Sequence, residues 1–264
     1  MPIHPQNNHS TMRVHFNKAV MILLAGLSVW AAAAQADTTL TYQSASGEFT
    51  VDIRPGAVRI DDASPQWQLY QESAEAIFAV DPDEHSYTRL DRDTASIVRE
   101  RVDSLRAQIE ARVQKLPTSQ QSTARAAMLQ SVPGLDTRDQ KIGLDRTGRK
   151  DSVAGVSCEV IRVVRDGEPA ETLCVATPKA LGISGNTFTS VKSMFSLMQT
   201  LLAGTGFETA GLPYLSLEGM PIRFTDTSTG ERRQLVDVSH EKRSDKRFSL
   251  PDGTIETAIG TAQE

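Results

Sequence analysis

Histidine is scarce in this sequence, and most of it lies at one end. Of five in 264 residues, His4, His9 and His15 fall in the N-terminal leader, leaving His85 and His240 for the rest. A hydrolase triad needs a nucleophile, a base and an orienting acid. The nearest nucleophile turn, Gly182-Ile183-Ser184-Gly185, lacks the Gly-x-Ser-x-Gly spacing and does not join a strand directly to a helix. His-Glu-x-x-His, P-loop and dinucleotide glycine motifs are missing too. No catalytic residue, metal ligand or cofactor site is identified, and the expectation is a protein that is not an enzyme.

Basic excess is also lacking. Lys and Arg number 28 against 33 Asp and Glu, a net charge of −5, whereas nucleic-acid proteins present a basic face. No nucleic-acid partner is expected. There are two cysteines, Cys158 and Cys174. Their spacing excludes a redox Cys-x-x-Cys, and without nearby histidines they make a poor zinc site. After the N-terminal run no apolar stretch reaches the ~20 residues a spanning helix needs. Hydrophobic residues at 39% and charged residues at 23% describe neither a disordered tail nor a channel. The length suits one large domain or two small ones.

The N-terminus reads as an export signal over residues 1–36. Arg13, His15 and Lys18 form a weakly basic head, Ala19–Trp30 is apolar, and Ala34-Gln35-Ala36 is a small-x-small cleavage site before Asp37. Met12 is an alternative start that would leave a signal of ordinary length. No cysteine follows the apolar run, so nothing points to lipid attachment there. The expected product is periplasmic and begins at Asp37. The cysteines fit that compartment: they flank the turn Arg165-Asp166-Gly167-Glu168-Pro169 between two β-rich runs, so a hairpin would bring them within disulfide reach.

From Asp37 the chain alternates apolar and polar residues in short runs: Thr38–Gln43, Phe49–Ile53, Val58–Asp61, Trp67–Gln71, Ile77–Val80 and His85–Leu90. This cadence predicts one curved antiparallel sheet, polar on one side. Between Asp93 and Lys115 the apolar period becomes helical, with Asp93 or Thr94 as cap and Pro117 as stop. A second, thinner helix spans about Thr118–Ser131, and Pro133-Gly134 ends it. Strands return from Gln140 to Thr147, through the cysteine hairpin, and at Ile222–Thr227 and Gln234–Ser239. The tail Phe248–Ile259 can add an edge strand. A third helix, about Thr187–Ala203 and ended by Gly204 and Gly206, carries Phe188, Val191, Met194, Phe195, Met198 and Leu202 on one side. This stripe reads either as core or as the wall of an apolar ligand groove between helix and sheet. Either way Phe195, Met198 and Leu202 are expected to be largely buried. The acidic cluster Asp81, Asp83, Glu84, His85, Asp91 and Asp93 matches no calcium-loop template and reads as turn chemistry.

The order of motifs has a counterpart among known families. After the signal come Ile53-Arg54-Pro55-Gly56-Ala57-Val58-Arg59-Ile60-Asp61, the helical insert with its Lys115-Leu116-Pro117 break, and Val153-Ala154-Gly155-Val156-Ser157-Cys158. Gly219-Met220-Pro221-Ile222-Arg223 and Leu250-Pro251-Asp252-Gly253 complete the set. This resembles bacterial periplasmic proteins of the domain-of-unknown-function 4412 type and, more distantly, the lipoprotein-carrier (LolA/LolB-like) superfamily. The resemblance implies a half-barrel covered by helices around an apolar cavity, and it supplies no catalytic residues.

The expectation is therefore one α+β domain over residues 37–260, with a curved antiparallel sheet covered by helices and a helical hairpin inserted at about 93–131. Two functions are open. One is an exported, non-enzymatic binding protein for an apolar ligand or acyl chain, with a lipid or lipidated protein as partner. The other is an envelope-associated structural or interaction protein whose core is closed.

Overall fold

The computed structural model describes residues 37–131, 141–203 and 215–258. The expected signal peptide, the Pro133-Gly134 stop and the Gly204 and Gly206 stops all lie outside them. Alternation makes the first six strands: β1 (Thr38–Ser44), β2 (Gly47–Arg54), β3 (Ala57–Asp61), β4 (Trp67–Gln71), β5 (Ala76–Asp81) and β6 (Ser86–Leu90). Each pairs antiparallel with the next, as in Leu40 opposite Val51 and Ile53 opposite Val58. Two helices follow, α1 (Arg92–Val113) and α2 (Thr118–Gln130). The cap of α1 is Asp91 rather than Asp93 or Thr94. Its carboxylate accepts the N–H groups of Asp93 and Thr94, while the Thr94 hydroxyl reaches back to the Asp91 N–H.

A second meander runs through β7 (Ile142–Val153), β8 (Val156–Arg165), β9 (Glu168–Ala176), β10 (Met220–Asp226) and β11 (Arg232–Ser239), with α3 (Gly185–Leu202) between β9 and β10. β7 is longer than its sequence suggests because it continues past Gly148 through a register shift between Arg146 and Lys150. Asp166 and Gly167, at φ 51 and 92, form the two-residue β8–β9 turn that their Asp-Gly sequence favours. Pairing of β1 with β11 fuses the meanders into one open sheet of twelve strands, in the order β12-β6-β5-β4-β3-β2-β1-β11-β10-β9-β8-β7. The two-residue β12 (Ile255–Glu256) joins the β6 edge in parallel.

The largest core lies where α3 meets the sheet. Leu40, Ile53, Val58, Ile222 and Leu235 pack there with Val191, Met194 and Leu197. The sheet is not polar on its other side. Trp67, Leu69, Phe78 and Val80 form a second cluster with Phe248, carried by a 3-10 turn at Asp245–Phe248. A third joins Ile161, Val163, Leu173 and Val175 to Leu217. Consecutive apolar residues such as Ile77-Phe78 and Val160-Ile161 supply both faces at once, the pattern of strands covered on two sides. Leu217 is brought in close by Gly219, where a Cβ would stand 2.1 Å from the Ala176 carbonyl oxygen. Only a residue without a side chain fits.

Candidate functional site

Three places combine several side chains in an arrangement that folding alone does not demand: the α3 junction, the charged knot beneath the C-terminal segment, and a polar groove at one end of β3–β6.

At the junction, Ser184 caps α3 by accepting the Thr187 N–H at 3.2 Å. The face turned to the sheet carries Thr187, Ser190, Val191, Met194, Leu197 and Leu201, all buried. Of the six residues expected to line a groove, Val191 and Met194 belong to this face. Phe188, Phe195, Met198 and Leu202 stand half-buried on its shoulder, so the helix is rotated from the orientation expected for Phe195, Met198 and Leu202. Ser190 accounts for part of the rotation: its hydroxyl accepts the Gly56 N–H at 2.7 Å and ties the helix to the β2–β3 turn. A small polar residue in an apolar stripe reads as an interruption in sequence, so Ser190 carries no signal there, and Leu197 falls outside the expected stripe because the helix is rotated. Between the shoulder and the segment Leu215–Pro221, the open volume is about 10 Å³. That is room for about one water molecule. Nearby, Tyr42 stacks on Phe49 with ring centroids 4.7 Å apart and donates to the Pro221 carbonyl at 3.0 Å. Burial pushes its phenol well above the ordinary range.

Cys158 and Cys174 sit at disulfide distance on the neighbouring strands β8 and β9, with Cα atoms 5.4 Å apart, as expected. His240 lies against Gly182, and its Nδ1 is 3.4 Å from the Thr38 hydroxyl.

The knot lies on the face opposite α3. Asp52 is fully buried and accepts from Arg247 Nε at 2.7 Å and from the Thr39 hydroxyl. Arg247 also reaches Asp61 at 2.6 Å. Arg54 binds Asp37 at 2.8 Å and Asp245 at 2.9 Å while lying 3.9 Å over the Phe248 ring. Arg59 bonds Asp61 and covers Trp67 at 3.5 Å. Asp52 on β2 and Asp61 on β3 thus clamp the arginines of the C-terminal segment. Such pairing is what keeps buried charges tolerable.

The acidic cluster is divided by the fold. Asp91 and Asp93 belong to the start of α1. Asp81 accepts the N–H groups of Asp83 and Glu84, both at 3.1 Å, and the Gln66 side-chain amide at 2.7 Å. The Gln66 bond above all, with the turn N–H groups, holds the Asp81 carboxyl below its ordinary value. Among the described residues, no group of three or more His, Cys, Asp or Glu is placed to hold a metal. The Asp81–Glu84 turn and the Asp62–Gln66 loop instead rim a groove of about 290 Å³. Its floor is a row in register across three strands, Gln68, Ala79 and Thr88, with Ser86 beside Asp81.

No helix among the described residues is long and apolar enough to cross a membrane. No protein-family model matches the chain, and no curated protein matches it. The family resemblance drawn from the motif order therefore gains no support from a family match. Among solved structures, the chain is similar to one described as "Crystal structure of MucB", at 14% identity and a TM-score of 0.30. The match covers 83% of this chain and spans 58% of the length of that one.

Proposed function

We propose that the chain is an exported, non-enzymatic interaction protein, its sheet wrapped as a half-barrel about α3 and its core closed by its own side chains. The observation that carries this reading is the α3 junction. On the flank facing Leu215–Pro221 the open volume is about 10 Å³, against ~300 Å³ at the lower end of ligand pockets. The wider cleft of about 250 Å³ on the other flank is walled mostly by polar groups such as Glu72, Glu75, Arg92 and Ser193 rather than by an apolar lining. Export is supported by the cysteine pair, because disulfides persist in oxidising compartments. A second reading, an apolar-ligand or acyl-chain carrier, draws on the shoulder of α3, where Phe188, Phe195, Met198 and Leu202 are half-buried and apolar. In that reading a ligand would enter by lifting the helix from Leu215–Pro221.

One experiment separates the two. With a closed core, Met194→Ala costs about 2–5 kcal/mol of stability in urea unfolding, as a filled core site does. Phe195→Ala costs less, because its ring is only half-buried, and neither protein takes up a fluorescent fatty-acid probe. Saturable probe binding by the wild type, altered by Phe195→Ala, would replace the interaction reading with the carrier.

A further inference from the structure

The segment after β11 crosses the sheet face opposite α3 with little regular structure, a 3-10 turn at Asp245–Phe248 and the two-residue β12. Its apolar contribution is small: Phe248, with Leu250 beside it, packs on the cluster of Trp67, Leu69, Phe78 and Val80. Charge and backbone bonds hold the rest. Arg247 binds Asp52 at 2.7 Å and Asp61 at 2.6 Å, Arg243 stands 3.5 Å from Asp52, and Asp245 takes Arg54 at 2.9 Å. Beyond the turn, Ile255 and Thr257 donate their N–H groups to the carbonyls of His85 and Tyr87, at 3.0 and 2.8 Å. An aromatic anchor, arginines on carboxylates and strand addition at a sheet edge are the means by which extended peptides are bound. Here the peptide is the chain's own.

A cover that never moved would be as well made from apolar side chains, since replacing a buried ion pair by well-packed apolar residues is often neutral or stabilising. Ion pairs let this one lift. Arg243 and Arg247 are 38% and 32% exposed, so water already reaches them, and Asp52, 1% exposed beneath them, regains water when they leave. The large cluster under α3 is separate from the one that Phe248 covers, so the body stays closed. Departure uncovers an apolar floor edged by Asp37, Asp52 and Asp61, beside the bare β6 edge. Such a surface attracts a basic, aromatic strand and rejects an acidic one.

We propose that the C-terminal segment is a displaceable strap, and that the face beneath it binds an extended segment of a partner protein carrying an arginine followed by an aromatic residue, as Arg247-Phe248 does in the strap. This rests on the interaction reading, but the face lies opposite α3, so peptide binding and fatty-acid uptake are measured independently and one can fail without the other.

Titration of a fluorescently labelled peptide of residues 243–258 into the full chain, followed by anisotropy, tests this. The wild type, with its strap in place, should bind weakly. Apparent affinity scales with the open fraction, so Arg243→Ala/Arg247→Ala in the chain should bind the unaltered peptide about tenfold more tightly or better. A peptide carrying the same two substitutions should not bind that variant, nor should a scrambled peptide of equal charge. Phe248→Ala loosens the strap at its other anchor and serves as a second variant, with thermal unfolding confirming the fold of each. In the wild type, amide exchange at Ile255 and Thr257 should outpace that of the paired amides of β2–β4 and accelerate with salt, which screens exposed pairs. Strap amides that exchange only together with β2–β4 overturn the proposal, because the strap then never lifts by itself. So does a folded variant that binds no more tightly than the wild type, or a scrambled peptide that binds equally, which would mean diffuse charge attraction.

Discussion

The Asp226 carboxylate gathers the β10–β11 turn, beside the backbone bonds that Asp226 makes with Gly230 and Glu231. One of its oxygens accepts the Ser228 hydroxyl at 2.6 Å and the N–H groups of Ser228 and Thr229, both at 2.8 Å. The Ser228 hydroxyl contributes most to favouring the ionised form, followed by the Thr229 N–H, and the carboxyl is pushed down to about 2. A carboxylate whose pKa is depressed by folding adds stability above its unfolded value, and that stability is lost as pH falls through the folded value. The turn should therefore be intact above pH ~4, the ordinary aspartate range, and loosen between there and pH ~2. Amide exchange at Ser228 and Thr229, followed by NMR across that window, should accelerate relative to the intrinsic rate in the wild type. In Asp226→Ala it should already be fast at neutral pH. Protection that does not change down to pH ~2 would show the turn is held by its backbone alone.

The elements differ in how deeply they are rooted. α3 is fixed by six buried residues and the Ser190–Gly56 bond. α1 buries only Ala95, Ile109 and Val113 along 22 residues. α2 packs on α1 through Met128 and Leu129 and through Arg125, which binds both oxygens of Glu110 at 2.6 and 2.8 Å. That pair is about 40% exposed on each side, which limits its worth to about 0–1 kcal/mol. Local opening is easiest where few apolar contacts are made. Trypsin should cut at Arg125 before any site in the sheet, and a protein lacking Thr118–Gln130 should still unfold cooperatively. Loss of all cooperative unfolding on that deletion would place α2 in the core. At the far edge of the sheet, β7 has no outer partner among the described residues. It carries Arg146, Arg149 and Lys150 and a register shift, the usual means of keeping an edge from pairing with another chain.

For the molecule as a whole, two closures join parts distant in sequence. The C-terminal segment returns across the β2–β5 face, where Arg243 and Arg247 meet Asp52 of β2, and its β12 strand joins the β6 edge. The Cys158–Cys174 pair closes a span of 16 residues within the second meander. On chain entropy alone a loop of that size is worth ~3 kcal/mol. Reduction should lower the unfolding free energy by about that amount and leave the protein folded, because the two sulfurs are only part of the large apolar cluster beneath α3, whose other members stay packed when the bond opens. Urea unfolding with and without a thiol reductant measures the difference. Identical curves would mean that the cysteines are not joined in solution.

The sequence by itself determined the elements of this protein, because their causes are local. Leu40 and Tyr42 alternating with Thr39 and Thr41, the Asp-Gly turn at 166–167, and the Pro117 break each act within a few residues. The cysteine pairing was legible as well, since the hairpin that aligns the two is itself local. Only the tertiary structure decided which side of each element would be covered. Trp67 and Leu69 alternate as apolar residues do, but that they pack away from the α3 cluster, under Phe248 from far along the chain, is set only by the tertiary structure. Ser190 looked like a break in an apolar stripe until Gly56 presented its N–H. Ser86 and Asp81 became parts of one groove only when β5, β6 and the Asp62–Gln66 loop were set side by side. Pattern along a strand or helix records which residues share a face, but not what that face meets. That depends on contacts between residues too far apart in sequence for any periodicity to register.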